Sequence, residues 1–513
     1  MDEKIGRYHN AKLNTVWAII CQLVFIVLGF LNRKVFYNFL GAELLGVNSL
    51  FSDVLIIFSL ADMGFSTAIM FSMYKPIAEN DTQKVCSLLL FYRCIYRYVI
   101  IALIIISICF IPFLRFIKTD IPFSDLLVYY MFFQANNLVE YVWVYRESYI
   151  IACQKERELS KWNIIFYVTK NMSQILTVIF FKNFIAYLFV GFACLTIKKV
   201  FVNNYILIHY PITSIEKANQ LSDNEKQSIV RKSKALLVTK VGNLIINQTD
   251  SLIISYIISV AQWGLASNYI LIKKSIFTIS EKIYSSVLPS MGNLIVKSDK
   301  GHKTKIFLQY DFLNAWMQTF FFVSFLCLSN PFISLFFGNE AILPFYFVFV
   351  FFFASFIDGL RNPVSVMREA GGSFEKDKWY TVVAALVNMA VSIPLAIKIG
   401  MVGVYVGTIC SMLILHLFRT IVLLGDNSFD ITVYKYLELI LKHVFFALII
   451  GAVTFVLVQL TYKINTNLYA IFLIQCLTVV IIPNLIWIFI NYDNQIFQDV
   501  QLRVKIIKWG KNK

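Results

Sequence analysis

Long apolar runs separated by short polar connections make up almost the whole chain. A helix that crosses a membrane needs about 20 consecutive, predominantly apolar residues. By that rule the sequence predicts about 14 spans, with the shortest separations near Lys182 and Gly338 and no connection long enough for a soluble domain. The predicted spans cover approximately residues 14–32, 44–72, 84–113, 122–153, 160–181, 184–210, 235–258, 262–290, 305–337, 341–366, 379–397, 402–424, 436–461 and 468–491.

The composition agrees with this pattern. The chain is 58% hydrophobic and 15% charged, with a mean hydropathy of +0.70, whereas a soluble globular domain is about a quarter charged. We therefore expect an all-α integral membrane protein. The nine cysteines form no CxxC motif and are interpreted as reduced, buried hydrophobes.

The basic residues predict an orientation. If the N-terminus is cytoplasmic, most Lys and Arg of the connections fall on the cytoplasmic side, as the positive-inside rule requires. Both termini are then cytoplasmic, and Thr15–Leu31 is an uncleaved first span behind a basic segment. Because this rule explains most of the net charge of +16, nucleic acid is not an expected partner.

A weak internal repeat suggests how the spans are grouped. An offset of 218 residues aligns Gly46 with Gly264 and Ser49 with Ser267, and it moves the start of the third predicted span close to that of the ninth. The pattern predicts two six-helix bundles related by an axis along the membrane normal, followed by an extra helix pair. The predicted parts are an N-terminal bundle at 1–210, a cytoplasmic linker at 211–234, a second bundle at 235–425, the pair at 426–491 and a basic tail at 492–513. In the tail, apolar residues at helical spacing indicate an amphipathic helix on the inner leaflet.

Charged residues inside the predicted spans are candidates for function. A charge at the centre of a membrane helix costs about 2.5–3.5 kcal/mol, so such residues face protein, water or an opposite charge. The basic surplus predicts a cavity for an anionic cargo, although internal ion pairs are the alternative for each residue. Lys198 and Lys199 point about 100° apart on a helix, so both cannot face one cavity. The candidates are Arg93, Arg97, Lys170, Lys198, Lys273 and Lys274, with Arg97 and Lys273 favoured as the strongest pair.

Three acids, Asp62, Glu140 and Asp250, are candidates for binding a coupling ion, either H⁺ or Na⁺. The sequence contains no GxxxxGK[ST] motif and no HExxH motif, so neither a nucleotide site nor a metal site is expected. We expect no other cofactor. His416 and His443, in or beside spans, are interpreted as structural.

One stretch carries a family resemblance. RKVFYNFLGAELLGVNSLFSDVL, from Arg33 to Leu55, and YKPIAEND, from Tyr74 to Asp81, resemble the first two spans of bacterial Wzx-type polysaccharide flippases, in the multidrug/oligosaccharidyl-lipid/polysaccharide (MOP) exporter superfamily. The resemblance implies a transporter, not an enzyme, in the bacterial cytoplasmic membrane. Its cargo would be an undecaprenyl-pyrophosphate-linked oligosaccharide repeat unit for capsule, exopolysaccharide or O-antigen assembly. The extra helix pair would line a groove for the lipid tail.

The expected partners are the lipid-linked oligosaccharide, membrane lipid, and the polymerase and glycosyltransferases of the same assembly; the protein itself is expected to be a monomer. Two alternatives remain open. A multidrug or other lipid exporter of the same superfamily would share the fold and need fewer interior cations. The second alternative is a membrane enzyme, such as a polymerase or acyltransferase. Resemblance to a polymerase of this pathway would require one large outside loop, and the predicted connections include none.

Overall fold

Every regular element in the described part of the chain is a helix. The computed structural model describes residues 2–62, 64–214, 220–371, 374–425, 428–463, 467–499 and 501. The longer helices are α1 (Asp2–Phe58), α2 (Phe65–Ala78), α3 (Thr82–Phe110), α4 (Phe123–Tyr141), α5 (Val144–Ala152), α6 (Glu156–Phe181), α7 (Phe184–His209), α8 (Asp223–Ile253), α9 (Val260–Lys297), α10 (Lys300–Phe337), α11 (Phe345–Leu360), α12 (Asn362–Ala370), α13 (Phe374–Ile399), α14 (Met401–Leu424), α15 (Val433–Thr461) and α16 (Leu468–Ile490).

Ten helical stretches in the described part of the chain are long and apolar enough to cross a membrane. They include α3, α6, α7 and all of α10 to α16, with α11 and α12 counted together. The all-helical membrane fold is therefore confirmed, whereas the number 14 stays a prediction.

Several helices are interrupted or separated at residues with positive φ values. Gly41, with φ 83°, interrupts α1 at the predicted connection between the first two spans. Lys182 and Gly338 separate α6 from α7 and α10 from α11, as the short predicted separations require. Three further interruptions were not predicted. Gly64 splits the second predicted span, Trp143, with φ 59°, splits the fourth, and Arg361 separates α11 from α12 within the tenth.

The chain divides into two compact units, Met1–Gly264 and Leu265–Lys513. We call them unit 1 and unit 2. The predicted boundaries at 210, 234, 425 and 491 and the predicted repeat symmetry remain predictions. The amphipathic tail helix falls on residues 500 and 502–513, which lie outside the described residues.

In unit 1, a hydrophobic core joins α2, α3, α5 and α8, with Ile69, Leu89 and Tyr92 fully buried. The backbones of unit 1 also approach each other closely at a glycine. A Cβ on Gly46 would overlap the backbone carbonyl of Val260. Only a residue without a side chain permits this crossing.

In unit 2, aromatic rings form much of the core. The rings of Phe325 on α10 and Phe352 on α11 stack with centroids 4.7 Å apart. Helices α13 and α14 pack closely because Gly407 leaves room for Ser392, whose hydroxyl donates to the Val404 carbonyl at 3.0 Å.

Candidate functional site

Unit 1 contains a cavity of about 630 Å³ between α1, α4, α6 and α7. Its size is within the range of small-molecule sites in proteins. One part of the wall is apolar, with Phe25, Phe133 and Phe166, and the rest carries amides and charges. The polar lining residues are Asn48, Ser52, Asn136, Asn137, Glu140, Asn163, Lys170, Gln174 and Lys198.

Buried amides hold α1 against α6 at the edge of this cavity. The side-chain amide of Asn32 donates to Asn171 at 2.7 Å and to Gln174 at 3.3 Å. The Tyr167 hydroxyl donates to the Phe25 carbonyl at 3.2 Å. Because polar groups in a membrane interior need partners, these bonds fix the register of the two helices that form the wall.

Two of the predicted cations line the cavity, Lys170 on α6 and Lys198 on α7. The charges of Lys198 and Glu140 both act on the ammonium group of Lys170. Gly191 makes room for Gln174 and Lys170: an added Cβ there would lie 2.8 Å from the Gln174 amide nitrogen and 3.9 Å from Cε of Lys170. The missing side chain at this point of α7 thus lets both residues of α6 approach the helix.

Lys199, the next residue along α7, is buried and does not line the cavity. Its ammonium lies 2.8 Å from Glu147 and 3.3 Å from Glu140, and only 4% of its side chain is exposed. This agrees with the expectation that Lys198 and Lys199 face different directions. Glu140, half exposed, belongs to both the ion pair and the cavity wall, so it links the buried lysine to the cavity.

The interruption at Val142 and Trp143 positions Glu140. The helix α4 ends there, at Tyr141, and the chain restarts as α5 with Glu147 in its first turn. The end of α4 carries the partial negative charge of its unpaired carbonyls. The buried Lys199 therefore has the carboxylates of Glu140 and Glu147 and the end of α4 as its counter-charges.

The other predicted cations lie elsewhere. Arg93 and Arg97 are exposed on α3 and do not line the cavity. Lys274 is exposed on α9. Lys273 belongs to unit 2, where its ammonium lies 5.5 Å from the centre of the Phe351 ring and is close enough to Asp358 to stabilise that carboxylate. The roles assigned to these four residues stay predictions.

Two of the predicted acids lie outside the cavity. Asp62 ends the short helical turn after α1 and accepts a hydrogen bond from the Tyr96 hydroxyl. Tyr96 adjoins Tyr92, whose hydroxyl lies 3.1 Å from that of Ser148 on α5. Asp250, near the end of α8, is 8% exposed. Their ion-binding roles are untested and stay predictions.

The sequence reasoning missed the amide residues of the cavity. These residues are uncharged, so a search for charged residues within predicted spans did not select Asn48, Asn136, Asn137 and Asn163. The sequence nevertheless indicated them, because an amide side chain in a membrane span is costly unless it has a polar neighbour. Together with Lys170 and Lys198 these groups can neutralise an anion and bind hydroxyl groups.

Unit 2 contains a second buried polar cluster, which was also missed. Asp311 on α10 is 1% exposed. It accepts a hydrogen bond from Tyr436 at 2.8 Å, and its other oxygen lies 3.1 Å from Nε2 of His443. His443, which the sequence analysis interpreted as structural, is buried and paired with a carboxylate.

No family profile and no curated protein sequence matches the chain, but solved structures do. The lipid II flippase MurJ, in an inward-closed conformation, superposes with a TM-score of 0.67 at 14% identity, over 93% of this chain and 99% of that chain. An inward-facing multidrug resistance MATE family transporter of the MOP superfamily gives 0.59 at 14% identity, over 78% and 95%. A MATE transporter from Vibrio cholerae gives 0.51 at 11% identity, over 81% and 97%.

At these identities the similarity concerns the fold, and it covers nearly the whole chain. It confirms the all-helical membrane fold that the sequence predicts, whereas the number of spans and the bundle boundaries stay predictions. The protein is therefore an all-helical, multi-pass membrane protein with the fold shared by MurJ and the MATE transporters.

Proposed function

We propose that this protein is a flippase that moves an undecaprenyl-pyrophosphate-linked oligosaccharide repeat unit from the inner to the outer leaflet of the bacterial cytoplasmic membrane. The unit would then enter capsule, exopolysaccharide or O-antigen assembly. In this proposal the protein is a transporter, not an enzyme, and it acts as a monomer beside the polymerase and glycosyltransferases of that assembly.

The observation that carries the proposal is the cavity of unit 1. A pyrophosphate carries several negative charges, and Lys170 and Lys198 supply two ammonium groups to one space. Sugars present many hydroxyls, and the amides of Asn136, Asn137 and Asn163 can donate to them and accept from them. A cargo with an anionic link and a polyhydroxyl head matches both groups of residues.

The fold supports the same proposal from another direction. MurJ is described as a lipid II flippase, and its similarity to this chain extends over nearly the full length of both. The resemblance of Arg33–Leu55 to Wzx-type flippases concerns a segment of α1 that supplies Asn48 and Ser52 to the cavity wall.

A multidrug exporter is the second candidate, because a multidrug resistance MATE transporter also has this fold. The two lysines at the cavity disfavour a cationic cargo, since like charges repel. An ion gradient would supply the energy in either case, with H⁺ or Na⁺ as the coupling ion.

The proposal is tested by restoring polymer export in a strain that lacks its own flippase. The wild-type chain should restore export, and a Lys170→Gln, Lys198→Gln double variant should lose most of it at equal membrane abundance. Two charges 4 Å apart interact by about 4 kcal/mol at an effective dielectric of 20, so a loss of tenfold or more is expected.

The matched control is Lys161→Gln. Lys161 is an exposed lysine on the same helix, α6, and it does not line the cavity, so its variant should export normally. Normal export by the double variant would contradict an anionic cargo in this cavity. Failure of the wild-type chain with every lipid-linked oligosaccharide tried, together with export of a drug, would favour the second candidate.

A further inference from the structure

Unit 2 buries a carboxylate and an imidazole in direct contact between two membrane helices. Asp311 lies on α10 and His443 on α15, and each is in a helix long and apolar enough to cross the membrane. The side chains are 2% and 6% exposed, and Nε2 of His443 lies 3.1 Å from Asp311. Neither residue belongs to the cavity of unit 1.

The side chains in direct contact with this pair are uncharged. The Tyr436 hydroxyl donates to the second Asp311 oxygen at 2.8 Å. From α16, Trp487 faces the histidine with its ring. These two neighbours provide no counter-charge to the pair.

The neighbouring helices contribute a histidine and two arginines. His416 on α14 is 4% exposed, and neither of its ring nitrogens has a partner among the described residues. Its ring centroid lies 6.2 Å from that of Tyr436, and the charges of Asp311, Arg361 and Arg419 act on it. Arg361 is already paired with Asp358, and Arg419 lies 3.4 Å from Ser365.

The pair has two charge states that differ by one proton. With the imidazole doubly protonated, an imidazolium faces a carboxylate and the net charge is zero. When the proton leaves the ring, a neutral imidazole faces a carboxylate, and the pair carries a net charge of −1. A buried carboxylate that has lost its direct counter-charge is unfavourable, so loss of the proton favours a rearrangement that admits water or moves α15 relative to α10.

We propose that Asp311 and His443 form a proton-binding site in unit 2, and that proton binding and release there are coupled to the packing of α15 against α10. This inference rests on the proposed function, because an ion-coupled transporter needs such a site. It assigns the coupling proton to a pair that differs from Asp62, Glu140 and Asp250.

The chemistry of the pair favours H⁺ over Na⁺. A sodium ion, as a hard cation, is held by several oxygen ligands, and a protonated imidazole cannot coordinate it. A proton needs only the one carboxylate and the one imidazole that are present.

The test uses the full chain purified in detergent, with protons as the ligand. The Trp487 ring lies at 30° to that of His443, with centroids 6.2 Å apart, and an imidazolium quenches indole fluorescence more strongly than a neutral imidazole. Wild-type protein titrated between about pH 5 and 9 should show a sigmoidal change in tryptophan emission. His443→Gln should remove this change, and Asp311→Asn should give a titration curve that differs from that of the wild type.

Lys442→Gln is the matched control. Lys442 precedes His443, is exposed, and pairs with Glu438 at 2.7 Å, so its variant should titrate as the wild type does. If the buried variants fail to fold, Tyr436→Phe removes only the hydroxyl that donates to Asp311 and should still displace the midpoint. Identical titrations in the wild type, Tyr436→Phe and any folded variant of the pair would overturn the proposal.

A transport measurement then separates this inference from the proposed function. In the export strain, Asp311→Asn and His443→Gln should lose the dependence of export on the proton gradient, whereas Lys442→Gln keeps it. Normal gradient dependence in both folded variants would overturn the coupling role while export itself upholds the flippase. A wild-type chain that titrates but restores no export would overturn the proposed function and leave the proton site standing.

Discussion

Adjacent lysines on α7 show how one residue of helical rotation separates two roles. Lys198 faces the cavity, and Lys199 lies buried between Glu140 and Glu147. The difference follows from the 100° step between successive helical residues. The sequence predicted that the two side chains diverge, but it could not tell which one faces the cavity, because that depends on which face of α7 packs against α4 and α6.

Replacing Lys199 should lower the free energy of unfolding of the protein. Lys199→Gln leaves two carboxylates without their cation, and breaking a buried pair in this way costs about 3–5 kcal/mol. Because Glu140 is half exposed and Glu147 is 27% exposed, solvent screens part of that cost, and we expect a loss of roughly 1–3 kcal/mol. Thermal unfolding of the purified protein measures it. Lys199→Arg should recover most of the loss, and an unchanged melting temperature for Lys199→Gln would contradict the buried pairing.

A large side chain at position 191 should reduce transport. Gly191→Leu places a branched side chain against Gln174 and Lys170, so it fills the space in which the cargo is proposed to bind. We expect export to fall at least about tenfold, which corresponds to ~1.4 kcal/mol, at unchanged abundance. Gly292→Leu is the control, because a Cβ at Gly292 meets nothing within 4 Å. Full export by Gly191→Leu would show that the cargo takes another path.

At the scale of helices, the pattern of apolar runs predicted most boundaries, because a membrane span is recognised by length and hydropathy. The breaks at Gly41, Lys182 and Gly338 fall where polar or glycine residues interrupt that pattern. The break at Trp143 could not be predicted, since its neighbours are apolar and a non-glycine residue with positive φ is uncommon. Helix α8 also begins earlier than its predicted span, because the capping box of Ser222 and Glu225 starts it in a polar sequence.

The start of α8 should depend on pH. Two hydrogen bonds hold the pKa of Glu225 below its ordinary value of 4.5. The ammonium of Lys84 has the larger effect, and the Ser222 hydroxyl, which donates to the Glu225 carboxylate at 2.8 Å, has the next. A lowered pKa in the folded state means that the carboxylate stabilises the fold above the unfolded pKa, and that this contribution is lost as the pH falls through the folded pKa.

Hydrogen exchange at the first turn of α8 measures this effect. After correction for intrinsic rates, wild-type protection should fall between about pH 5 and pH 3, and Glu225→Gln should be less protected and nearly flat over the same range. Glu79→Gln, which removes the exposed partner of Lys75, serves as the control. Equal protection profiles for the wild type and Glu225→Gln would contradict this role.

At the scale of the whole molecule, the fold was predictable and the polar clusters were only partly so. Hydropathy identifies a membrane protein without alignment, and the basic connections predict its orientation. The criterion of a charged residue within a predicted span selected Lys170, Lys198 and Glu140, which line one cavity. The same criterion also selected Arg93 and Arg97, which are exposed. Hydropathy and spacing do not tell which face of a helix packs against another, and this decides which charges meet.

The predicted orientation can be tested with single cysteines in a chain without its nine native cysteines. Cysteine at position 118 or 398 should react with an impermeant thiol reagent on intact cells, because Lys118 and Lys398 occupy predicted outside connections. Cysteine at position 226 should react only after the cells are opened. Labelling at 226 from outside would reverse the orientation and, with it, the proposed direction of transport.

The central claim is that the protein moves a lipid-linked oligosaccharide across a bilayer. The most direct measurement reconstitutes the purified chain into liposomes that contain an undecaprenyl-pyrophosphate-linked oligosaccharide, imposes a proton gradient, and follows the sugar in the outer leaflet with an impermeant glycosidase. Wild-type protein should make protected substrate accessible, and the Lys170→Gln, Lys198→Gln variant should do so at least about tenfold more slowly. Equal accessibility with and without wild-type protein, both under a verified proton gradient and under a verified sodium gradient, would contradict the claim.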